Sequence, residues 1–143
     1  MPGAAPAEVR AEHRVRYYDV SALDAAGLQD QMQRRGPRGF WAHTTWHVTW
    51  SARCEVTLDT RIVFPRHVAP QRLPDALRRD WAAMTRALMQ HEMQHRAFGI
   101  AAAAEIERTA CRNADAVIER WAAEDVRLDR LTDHGRTTGV TLD

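Results

Sequence analysis

The apolar positions of the chain change period once. Between residues 40 and 64 they alternate with polar ones, the mark of strands with one wet face. From Pro74 onward they recur every three or four residues, the mark of helices with one buried face. "RVRYYDV" (14–20) reads as a strand, after which Ser21 caps a helix with Asp24 in the capping-box position. That helix runs to about Arg35, and "GPRG" (36–39) ends it. In "FWAHTTWHVTW" (40–50), Phe40, Ala42, Trp46, Val48 and Trp50 share one face, and His43, Thr45, His47 and Thr49 the other. In "CEVTLDTRIVF" (54–64), Cys54, Val56, Leu58, Ile62 and Phe64 oppose Glu55, Thr57, Asp59 and Arg61. The link "SAR" (51–53) suits a hairpin, so these runs are predicted as antiparallel strands.

In the second half, Leu77, Trp81, Met84, Leu88, His91, His95, Phe98 and Ala102 form a single stripe along one helix. Val117, Ile118, Trp121, Leu128 and Leu131 form a further helical pattern. One helix from 74 to 132 is too long for a small domain, so a reversal is expected near "TACRNAD" (109–115). The predicted class is α+β: a small antiparallel sheet with a helix between its first two strands, packed on the His-bearing helix and a C-terminal helix.

Length and charge narrow the functional classes. The chain has 143 residues, enough for one domain with its own core, here residues 13–143. Residues 1–12 are rich in Ala, Pro and Gly and are expected to be poorly ordered. A net charge of +1 makes no electrostatic case for nucleic acid or membrane as the main partner. No apolar run approaches the roughly 20 residues of a membrane helix. No signal-peptide h-region is visible, so a cytoplasmic location is expected, or a secreted or periplasmic one if the chain is a mature form. Cys54 and Cys111 permit one disulfide, and two free thiols if the protein is cytosolic.

Candidate chemistry sits on the buried stripe. "HEMQH" (91–95) fits H-E-x-x-H. Histidines four apart on a helix stand one above the other and converge on one ion, and Glu92 sits where it faces a bound water. A pair of hydrogen-bonded core histidines is the plain alternative. It carries a cost, because buried imidazoles and a carboxylate need polar partners that a metal would supply.

A catalytic zinc needs a third protein ligand and an open position. The metzincin extension would require Gly at 98 and His at 101, where this chain has Phe98 and Ala101, and Gly99 is out of register. Glu105 lies about 15 Å beyond His95 along a straight helix. With a helical turn centred at about 112–113, an equal-rise count returns His134 level with His91. His134 is therefore the expected third ligand, with Asp129 as the alternative or as an orienting carboxylate, and Asp125 read as a surface residue. His43 and His47 are about 13 Å apart on one strand face and line a groove or face water. Tyr17 and Tyr18 read as core residues, with an oxyanion role open to Tyr18. Arg136, just past this segment, is a further candidate for substrate contact.

Several segments in this order carry a family resemblance: "YYDVSALDAAGLQDQMQRRGP", "TTWHVTW", "CEVTLDTRIVFP", "HEMQH" and "LDRLTDHGRTTG". Together they resemble domain-of-unknown-function family 922, described as predicted secreted zinc-dependent proteases. The resemblance implies a minimal zincin-like domain with His91 and His95 as ligands and Glu92 as catalytic base. It also singles out Asp129, Arg130, His134 and Gly135. Leu128 stands where the family often has Tyr, and Thr138 where it often has Gln, departures that bear on substrate preference. Family members carry two cysteines at similar places, which implies a Cys54–Cys111 disulfide. The expected function is a Zn²⁺-dependent metallopeptidase acting on a peptide or protein. A hydrolase of a non-peptide amide or ester and a non-catalytic zinc-stabilised module are the alternatives.

Overall fold

The computed structural model describes residues 8–143. Strand β1 (Arg10–Val20) is followed by helix α1 (Ala25–Arg35), and strands β2 (His43–Trp50) and β3 (Val56–His67) form a hairpin. Helices α2 (Asp75–Arg108) and α3 (Ala114–Thr132) complete the order. The class is α+β, with a three-stranded sheet packed against α2 and α3 in a minimal zincin-like arrangement.

The sheet is mixed. β2 and β3 pair antiparallel, but β1 lies parallel to β3 in the order β1-β3-β2. The segment through α1 carries the chain past the place of β3, so β2 takes the far edge and β3 returns between the other two. β1 also starts earlier than the sequence pattern suggests, with Arg10–Glu12 already paired to β3. Residues 1–7, part of the segment expected to be poorly ordered, lie outside those described. The N-cap of α1 is Asp24 rather than Ser21: its carboxylate accepts from the Gly27 N–H at 2.6 Å, a first-turn donor. His67 ends β3 as a buried residue, 2.9 Å from the Ala22 carbonyl and accepting from the Ala69 N–H.

The face of α2 that meets the sheet divides the core in two. Trp81, Met84 and Leu88 join Ile62, Phe64 and the α1 residues Leu28 and Met32. Ala102, Ala103 and Ile106 join Val48, Val56, Leu58 and Val117. His91, Glu92 and His95 are buried between the two clusters. Cys54 and Cys111 are disulfide-bonded, which ties the β2–β3 hairpin to the α2–α3 turn. Ala110, Cys111 and Asn113 in that turn have positive φ, which reverses the chain without glycine. No helix among the described residues is long and apolar enough to cross a membrane.

Candidate metal centre

The α2–α3 turn lies at residues 109–113, earlier than the equal-rise count assumed. It therefore brings Asp129 level with the middle of the histidine pair and leaves His134 in the loop beyond α3. His91 Nε2 and His95 Nε2 are 3.3 Å apart, and each is 2.9 Å from Asp129 Oδ1. These three residues are a group able to hold a metal ion. His134, the expected third ligand, lies outside that group: its Nδ1 is 3.8 Å from Asp129 Oδ2, and its side chain is 54% exposed.

The arrangement fits a zinc-sized ion. Tetrahedral zinc bonded to nitrogen at about 2.05 Å has ligand–ligand edges of roughly 3.3 Å, the distance between the two Nε2 atoms. The Asp129 oxygen stands closer, at hydrogen-bond distance. Without a cation, two buried imidazole nitrogens face one another over a single carboxylate oxygen, and His91 Nδ1 finds no partner among the described residues. Two nitrogens and one carboxylate are a donor set suited to zinc. The His/His/Asp cluster is consistent with zinc binding.

The site electrostatics follow from burial and from this crowding. Burial pulls the His95 imidazole down, but hydrogen bonds to Asp125 and Asp129 outweigh it and push its pKa up to about 10. Burial raises the Asp129 carboxyl, but His91 and His95 overcome this and hold it well below the usual carboxylate range. Glu92 is raised by burial, and the Thr44 hydroxyl opposes the rise by donating to Oε1 at 2.7 Å. His43 is lowered, first by burial and then by Arg38 and His95.

The cluster opens on a cleft of about 490 Å³ that His43, Glu92, His134 and Arg136 also line. Phe40 stands between two histidines there, its ring 6.3 Å from His43 and 5.0 Å from His134. The loop after α3 crosses the site with Asp133, His134 and Gly135 all at positive φ. Gly135 is required by space as well: a Cβ there would lie 2.6 Å from Val140 Cγ2 and 3.3 Å from His91 Cγ.

A family profile spans this site and most of the fold, matching residues 15–135. The chain belongs to DUF922. Its members are described as bacterial proteins of unknown function. No curated protein and no solved structure matches the chain. The DUF922 region contains every residue of the cluster, and Arg136 falls one residue beyond it.

Two expected site residues are elsewhere. Tyr18 is not among the residues lining the cleft; its hydroxyl donates to the Trp41 carbonyl at 2.5 Å, and burial raises its pKa. His47 is exposed on β2, opposite Asp59 on β3. Two residues acquire contacts the sequence reading did not give them. Asp125 is not a plain surface residue, because its Oδ1 is 2.7 Å from His95 Nδ1. Thr44 is buried against Glu92. A polar residue at an inward position of β2 was the available signal for Thr44.

Proposed function

We propose that this DUF922 protein is a zinc-dependent metallopeptidase, with His91, His95 and Asp129 holding the ion. The observation that carries the reading is the convergence of two Nε2 atoms and Asp129 Oδ1 beside a buried glutamate, at the wall of an open cleft. Bound zinc supplies Lewis acidity that polarises a scissile carbonyl and acidifies water. Glu92 is the general base. Thr44 holds Oε1, so Oε2 takes the proton and later returns it to the leaving amine. The apolar wall at Phe40 and the edge position of β2 among the described strands favour an extended peptide lying along the cleft. The Cys54–Cys111 bond favours an oxidising compartment, secreted or periplasmic, over the cytoplasm.

The half-exposed His134 supports a second reading. Swinging toward the ion, it would complete a closed four-ligand site and make the protein a zinc-stabilised binding module. Glu92→Gln separates the two. A metallopeptidase retains about one zinc per chain and loses peptide cleavage by at least ~10²-fold. Protein purified without added metal that takes up no zinc on dialysis would overturn both readings. Replacing His134 with Ala leaves zinc content intact in the first reading and lowers it in the second.

A further inference from the structure

His95 is held by contacts that join three elements. Its Nδ1 lies 2.7 Å from Asp125 Oδ1 on α3. The other oxygen of that carboxylate accepts the indole N–H of Trp46, on β2, at 2.8 Å. Trp46 reaches this place because Gly99, one turn beyond His95, has no side chain. A Cβ at 99 would stand 2.6 Å from Trp46 Cγ and 2.7 Å from Trp46 Cβ. Gly99 fails the metzincin register, and its close contact with Trp46 gives it a different role.

We infer that Asp125 and Trp46 are positioning residues that fix the tautomer of His95 for metal binding, an inference that rests on the metal-centre reading above. A carboxylate can only accept, so Asp125 keeps a proton on His95 Nδ1. The Nε2 lone pair is then left facing His91 Nε2 and Asp129 Oδ1. Trp46 can only donate, so it holds the second carboxylate oxygen and keeps Asp125 from turning away. Asp125 and Asp129 are four residues apart on α3 and share one face. The contact that sets the His95 ring therefore also sets the height of the carboxylate ligand.

The donor count makes this separable from a packing role. Asp125→Asn offers one acceptor oxygen to two N–H donors. The indole has no alternative, so it takes the oxygen and turns the amide NH₂ toward His95 Nδ1. That nitrogen must then be bare, the proton moves to Nε2, and the ligand atom is blocked. Asp125→Ala removes the conflict and leaves the tautomer free. Asn is the closer copy of Asp in shape, so a packing role ranks Asn above Ala in zinc affinity, and the tautomer role ranks Ala above Asn.

The test is zinc affinity of the full chain, by competition with a chromogenic chelator at fixed pH, with circular dichroism to confirm folding. Asp125→Asn should lose about 10–100-fold in affinity, more than Asp125→Ala loses. Adding Trp46→Phe to Asp125→Asn frees the amide oxygen for His95 and should recover part of that loss, although each change alone weakens binding. If the Trp46 variants do not fold, the Asn-against-Ala ranking decides alone. Equal affinities, or Asn binding more tightly than Ala, would overturn the assignment while leaving the metal centre standing. A wild-type protein that does not bind zinc would overturn both.

Discussion

Thr44→Val tests the link between the sheet and the proposed base. The two side chains have nearly the same shape, so the change removes a hydroxyl and little else. That hydroxyl is buried, and it donates to Glu92 Oε1 at 2.7 Å and to the Glu92 carbonyl at 3.2 Å. A hydrogen bond to a charged group is worth about 1.5–3 kcal/mol. Its loss falls on the ionised form of Glu92, so at 1.36 kcal/mol per unit the Glu92 pKa should rise by about 1–2 units. Burial already raises that pKa, and Thr44 is the first group opposing it. The base must be ionised to accept a proton, so the acid limb of a kcat/KM profile should move to higher pH by about 1–2 units, with the alkaline plateau little changed. Titration of the ¹³C-labelled Glu92 carboxyl in zinc-loaded protein reads the same shift without a substrate. An acid limb and a carboxyl titration that both stay in place would refute the reasoning, since Thr44 would then not stabilise the ionised base.

Four other outcomes follow from the structure. Replacing Cys54 and Cys111 with Ser opens a loop with a sequence separation of 57 residues, which the chain-entropy relation values at about 4 kcal/mol. Urea denaturation with and without reductant measures it, and a loss under ~1 kcal/mol would mean the turn needs no tie. In metal-free protein the His95 pKa is raised to about 10 from an ordinary 6.5, so its contribution to stability is complete below pH 6.5 and is lost as pH rises through 10. Chemical denaturation across that window should show the loss in metal-free protein and little of it in zinc-loaded protein. Zinc should take the place of that proton, so calorimetry near pH 8 in buffers of different ionisation enthalpy should find about one proton released per ion; none released would contradict the exchange. Gly135→Ala should lower both stability and zinc affinity, because the added methyl has no room between Val140 and His91. Unchanged melting and zinc titrations would show that the loop relaxes freely.

The parts of this fold legible in the sequence are those set by periodicity. The α2 stripe from Trp81 to Ala102 predicted a buried face, and that face is what puts His91 and His95 inside the molecule. The α2–α3 reversal was legible because one helix could not continue, but its centre was not, since Ala110 and Cys111 adopt positive φ without a glycine to announce it. A shift of one or two residues in that centre slides the α3 register against α2 by twice that number, up to about 6 Å, and the side chain beside the histidines becomes Asp129 instead of His134. Parallel pairing of β1 with β3 was equally hidden, because alternation gives the faces of a strand and not its neighbour. Asp125 shows the deeper limit. On α3 alone it belongs to a polar run, "EDVRLDR", and nothing local separates it from a solvated charge. Its partners come from β2 and α2, 79 and 30 residues away in sequence. Motif spacing within one helix can place two ligands, but the groups that orient those ligands come from whatever the tertiary fold packs against them. Gly99 carried the one advance sign of that packing: a glycine inside a long helix is costly, and here it marks where Trp46 crosses on its way to Asp125.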